Sequence, residues 1–134
     1  MPQLRKDPII GRWVIVATER AKRPKDFRYT LQPPAEEECP FCQGKEGLTP
    51  QETFSIKDAQ GNWRVRAVMN KYPFVAQSND IWKKGKGPYD LMNAVGSHEV
   101  VVETPEHIAN MADLEETFIQ DTFSAYISRI KAIE

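Results

Sequence analysis

Residues 98–103 read His-Glu-Val-Val-Val-Glu, and Thr104-Pro105 follows. Three successive β-branched residues favour an extended strand, and the proline ends it. Side chains alternate along a strand, so His98, Val100 and Val102 share one face while Glu99, Val101 and Glu103 share the other. Downstream the period changes. Over residues 113–133, Leu114, Phe118, Ile119, Phe123, Tyr126, Ile127, Ile130 and Ile133 recur at helical spacing and predict one apolar stripe. Asp113 and Glu116 stand where a capping box would start that helix. Strands followed by a single amphipathic helix imply an α+β fold, a mostly antiparallel sheet with a C-terminal covering helix.

Upstream, residues 53–57 and 63–69 read as a strand pair joined by a turn at Gly61-Asn62. Trp63, Val65, Ala67 and Met69 alternate with Arg64, Arg66 and Val68, the pattern of a half-buried strand that ends before Pro73. Residues 11–18, Gly-Arg-Trp-Val-Ile-Val-Ala-Thr, carry apolar groups on both sides of the alternation, so a strand buried on both faces is expected. Residues 31–38 and 78–96 are rich in proline, glycine and charge and read as loops, the second of them long. The expected sheet has three to five strands. The helical pattern is still running at Glu134 with no C-cap signal, which suggests a chain lacking a second half.

The chain has 134 residues, 40% of them hydrophobic, enough for one domain with its own core. It has no run of eighteen apolar residues and no apolar stretch near Met1 that would read as a secretory signal, so a cytoplasmic location and no membrane partner are expected. Net charge is −1, which argues against a nucleic-acid partner, but the charge is unevenly spread. Residues 1–28 carry eight basic and three acidic groups, about +5. A local basic cluster suits a small anion such as a phosphate or nucleotide, or is simply a solvated face.

Cys39-Pro40-Phe41-Cys42, with Gly44 and Gly47 following, is the sharpest local motif. Two thiolates three positions apart on a glycine-bearing turn can reach one tetrahedral Zn²⁺. A redox pair and two buried cysteines are the alternatives. A redox pair calls for a helix N-terminus, which the sequence does not offer here. The chain has two histidines to add to the set, His98 within a strand and His107 in the connection after it. Loops more often supply ligands, which favours His107. No Gly-x-Ser-x-Gly or P-loop motif is present.

Several segments together resemble the N-terminal half of the galactose-1-phosphate uridylyltransferases, in the histidine-triad superfamily. They are Asp7-Pro8-Ile9-Ile10-Gly11-Arg12-Trp13-Val14-Ile15-Val16, Arg20-Ala21-Lys22-Arg23-Pro24, Cys39-Pro40-Phe41-Cys42, Val68-Met69-Asn70-Lys71-Tyr72-Pro73, Gly96-Ser97-His98-Glu99-Val100 and Thr104-Pro105-Glu106-His107. The resemblance implies transfer of UMP from UDP-glucose to galactose 1-phosphate, a hexose 1-phosphate, through a uridylyl-histidine. It implies that Arg20 and Arg23 contact phosphate, Asn70 the ribose, and Val68 and Val100 the base. Cys39, Cys42 and His107 would be three of four ligands of a chiefly structural zinc. A homodimer is implied as well. The family's nucleophile sits in a His-Pro-His-x-Gln motif, whose first histidine is the fourth zinc ligand. No such motif occurs among these 134 residues, so no catalytic residue is expected in this chain. Lys71 also stands where the best-known members have aspartate, which leaves open a preference for uridylyl or adenylyl groups. A stand-alone zinc-binding interaction module is the other reading.

Overall fold

The computed structural model describes residues 1–22, 39–108 and 110–134. The chain divides into two compact units. The first draws on Met1–Asp26 and Tyr72–His98, the second on Phe27–Lys71 and Glu99–Glu134.

The first unit is a four-stranded antiparallel sheet built from β1 (Gln3–Lys6), β2 (Trp13–Val16), β5 (Lys83–Lys86) and β6 (Tyr89–Asn93), in the order β2-β1-β6-β5. The Asp7 carboxylate turns the chain between β1 and β2 by accepting from the Ile9 and Ile10 amides at 2.8 and 3.2 Å. Gly11, at φ +70°, completes the turn in a conformation other residues avoid. Asn93 is buried and links two segments: its Oδ1 accepts from the Trp82 amide at 3.0 Å, and its Nδ2 donates to the Asp80 carbonyl at 2.6 Å.

Two sequence expectations are corrected here. Residues 83–93 form a hairpin inside the stretch read as a long loop. Lys86 pairs with Tyr89, so Gly87-Pro88 is a two-residue turn, and Gly87 supplies the positive φ that such turns require. The strand at residues 13–16 is not buried on both faces. It is the sheet's edge, and Trp13, Val14 and Ile15 are all exposed. An edge strand has one neighbour, and its apolar sequence cannot by itself supply a covering layer.

The second unit places β3 (Glu52–Lys57), β4 (Trp63–Met69) and β7 (Glu99–Val102) in an antiparallel sheet of order β3-β4-β7, with α1 (Glu116–Ile133) packed across it. The antiparallel α+β class is as expected, with the strands shared between two sheets rather than gathered in one. The simple alternation expected for β4 breaks. Lys57 pairs with Trp63 but Ile56 pairs with Val65, so Arg64 is an inserted bulge residue. The bulge re-phases the strand. Arg64 turns to the helix, where its Nε bonds the Asp121 carboxylate at 2.7 Å and its guanidinium lies 4.1 Å from the Phe118 ring centroid. Trp63 and Arg66 come to one side, with the Arg66 guanidinium 5.0 Å from the indole.

The helix differs from its sequence reading at both its start and its stripe. Asp113 belongs to a separate 3-10 turn, Met111–Asp113, and Glu115 is the N-cap with no side-chain capping bond. Thr122 and Ala125 form the buried centre of the packed face. Phe123, Ile127, Ile130 and Ile133 lie on the outer side, 44–59% exposed. The apolar stripe is therefore wider than the face the three strands cover.

Candidate functional site

The segment after Cys39 folds back on itself through short-range bonds. The Lys45 amide donates to the Cys42 carbonyl at 3.2 Å, and Gly44 at φ +85° makes the turn possible. The Gln43 amide donates to the Pro105 carbonyl at 3.0 Å, joining this knuckle to the segment that leaves β7. That bond brings His107 to the cysteines. Its Nδ1 lies 3.3 Å from the Cys42 sulfur, and the donor atoms of Cys39, Cys42 and His107 all lie within 4.8 Å of one another. Two donors of a tetrahedral ion with bonds of about 2.0–2.3 Å stand roughly 3.5–3.8 Å apart. Two thiolates and an imidazole at these separations fit a zinc ion. His98 takes no part in the cluster.

The knuckle is braced by residues that the sequence reading did not select. Glu46 Oε1 accepts from the Gly44 amide at 3.0 Å and from the Trp63 indole at 2.7 Å. These bonds, the indole's above all, hold its carboxyl below the usual carboxylate range. Arg66 Nη1 donates to Thr49 Oγ1 at 3.2 Å, and that hydroxyl donates to the Glu46 carbonyl at 2.8 Å. Arg66 is buried, and its Nε and Nη2 have no hydrogen-bond partner among the described residues. An alternating strand read without its bulge gives no warning that a charged residue ends up here. Glu46, four residues past Cys42, carried the only readable signal, and it resembles any other charged loop residue.

A second cluster lies in the first unit. Arg20 sits in the 3-10 turn Thr18–Lys22, half-buried, and its Nη1 donates to the Tyr72 carbonyl at 3.0 Å. Its guanidinium lies 5.6 Å from the Phe74 ring centroid. The His98 ring lies against the same phenyl group, centroids 4.1 Å apart, and its Nδ1 accepts from the Phe74 amide at 3.3 Å. Burial lowers the His98 pKa, and the positive charge of Arg20 lowers it further. Arg23 lies outside the described residues. Val68 and Val100 are direct register partners on β4 and β7, and Asn70, half-buried, follows the end of β4. These three and Cys39, Cys42 and His107 belong to the second unit, and Arg20 belongs to the first. No helix among the described residues is long and apolar enough to cross a membrane.

No protein-family model matches the chain. It is 36% identical over a 137-residue alignment to the ADP-glucose phosphorylase of Arabidopsis thaliana, covering 98% of this chain and 39% of that protein. The crystal structure of that phosphorylase with bound ADP-glucose superposes with a TM-score of 0.56, over 99% of this chain and 38% of the other. A galactose-1-phosphate uridylyltransferase of Thermotoga maritima is 28% identical over 133 residues, covering 98% of this chain and 36% of the relative. A solved uridylyltransferase mutant superposes with a TM-score of 0.64 at 27% identity, over 97% of this chain and 34% of the other. The chain thus spans less than two fifths of the length of the curated relatives it matches.

Proposed function

The chain belongs to the galactose-1-phosphate uridylyltransferase family, and from that premise we propose that it is the N-terminal, nucleotide- and zinc-binding part of an enzyme acting on a nucleoside-diphosphate sugar. The observation that carries this reading is the 36% identity to a plant ADP-glucose phosphorylase across nearly the whole chain. Arg20 and Arg23 would meet phosphate charge with guanidinium donors. Val68 and Val100 would flank the base, and Asn70 would hold the ribose. Cys39, Cys42 and His107 would hold a structural zinc, which when bound ties the knuckle to the segment after β7. The family resemblance implies that covalent nucleotidyl transfer runs through an imidazole nucleophile. Neither His98 nor His107 stands in a His-Pro-His sequence, so the covalent step falls to residues other than these 134.

ADP-glucose is the first substrate reading, supported by the higher identity to the phosphorylase. UDP-glucose with a hexose 1-phosphate is the second, favoured by the TM-score of 0.64 to a uridylyltransferase. The same reading makes the assembled enzyme a cytoplasmic homodimer. Calorimetry of the zinc-loaded chain with ADP-glucose and with UDP-glucose tests the proposal. Binding of one nucleotide sugar, weakened about tenfold or more by Arg20→Gln, is expected from the loss of a charge-assisted contact. Failure of both ligands to bind, or an Arg20→Gln variant that binds as well as the parent, would overturn it. Phosphorolysis and uridylyl-exchange assays on the chain alone should stay at background.

A further inference from the structure

We propose that Phe74 and His98 are positioning residues for Arg20, forming an imidazole–phenyl–guanidinium stack that fixes the cation before any phosphate arrives. The inference deepens the reading of Arg20 given above and rests on it for the identity of the anion.

The three side chains come from separate stretches: the turn after β2, the segment following Tyr72 and the residue before β7. Arg20 is held at two points, by its bond to the Tyr72 carbonyl at 3.0 Å and by the Phe74 face at 5.6 Å. A cation within about 6 Å of a ring centroid is attracted by the ring's quadrupole. Phe74 is in turn held at two points by one residue. The His98 ring packs against its phenyl group at 4.1 Å, and His98 Nδ1 takes its amide proton. Only a neutral imidazole can take that amide hydrogen bond, and burial together with the Arg20 charge favours the neutral form of His98. A neutral ring also spares Arg20 a like charge beside it. Among the described residues the guanidinium makes one hydrogen bond, which leaves donors for a ligand. A long cationic side chain fixed in advance loses less rotamer freedom on binding than a free one.

The test combines a ligand-free and a ligand-bound measurement on the full chain and its Phe74→Leu, Phe74→Tyr and His98→Ala variants. In the free protein, NMR of the Arg20 Nε–Hε group should show a ring-current-shifted, ordered signal. Phe74→Leu and His98→Ala should move that signal toward the free-arginine position, and Phe74→Tyr should retain it. Binding of ADP should weaken about two- to fivefold in the first two variants, with adenosine binding unchanged and Phe74→Tyr restoring ADP affinity. A general loss of structure would weaken ADP and adenosine alike, and that result overturns the proposal. So does an Arg20 signal that is unmoved by Phe74→Leu. If the parent chain binds no ADP, the phosphate reading of Arg20 fails, and the NMR arm alone still decides for or against the stack.

Discussion

Replacing Arg129 by methionine should destabilise the second unit by about 3 kcal/mol. Arg129 on α1 holds the Glu99 carboxylate of β7 in a two-pronged pair, with Nε–Oε2 and Nη2–Oε1 both 2.8 Å. The side chains are only 18% and 6% exposed, so solvent screens the pair weakly. Removing the guanidinium leaves a buried carboxylate without the two donors that Arg129 supplies. Losing one partner of such a pair costs about 3–5 kcal/mol when burial is deep, and the partial exposure of Arg129 places the value near the lower end. In urea, with a slope of about 1–3 kcal/mol per molar, the unfolding midpoint should fall by roughly 1–3 M. The double change Glu99→Leu with Arg129→Met removes both charges and should recover most of the loss. A single variant that moves stability by less than about 0.5 kcal/mol, or a double variant no better than the single, refutes the reasoning. The pair also fixes a pH dependence. Its bond to Arg129 holds the Glu99 pKa below 4.5, so the folded state gains stability above the unfolded value and loses it as pH falls through the folded one. Acid unfolding should therefore begin below about pH 4.5, and Arg129→Met should flatten that limb.

Zinc titrated into the apo chain against a chromophoric chelator should bind stoichiometrically. His107→Ala should cut its retention sharply, while His98→Ala leaves it unchanged, and the reverse order would refute the ligand assignment. Tyr126 donates to the Glu103 carboxylate at 2.7 Å. Burial, then this bond, pushes its pKa up to about 12. Spectrophotometric titration should show a late phenol step for Tyr126, which Glu103→Gln brings back toward 10. The raised value means that stability is intact below pH 10 and falls as pH climbs toward 12.

Much of the second unit was legible because its signals are local. Val100, Val101 and Val102 announce a strand, Asp58 and Gly61-Asn62 sit in the turn joining β3 to β4, and the helical period of residues 116–133 needs no partner to be seen. The grouping of Cys39, Cys42 and His107 was legible for a different reason: cysteine and histidine are rare in this chain, with two of each. What could not be read depends on neighbours distant in sequence. The Arg64 bulge is set by register with β3, and it alone brings Trp63 and Arg66 together. Whether Trp13 or Phe123 is covered depends on how many layers the sheet receives, which no period encodes. The hairpin at Gly87-Pro88 was hidden because its glycines and lysines are as suited to a loop as to a tight turn.

The link between Cys42 and His107 joins positions 65 residues apart. Every strand from β3 to β7 lies inside that span. An ion gripping both ends would act as a reversible staple on the unfolded chain, and a cross-link of this length restricts the denatured ensemble by about 4 kcal/mol. Chelation, or oxidation of the two thiols, would hand that freedom back without breaking a native backbone hydrogen bond. The durability of the folded chain would then follow the zinc supply and redox state of its surroundings.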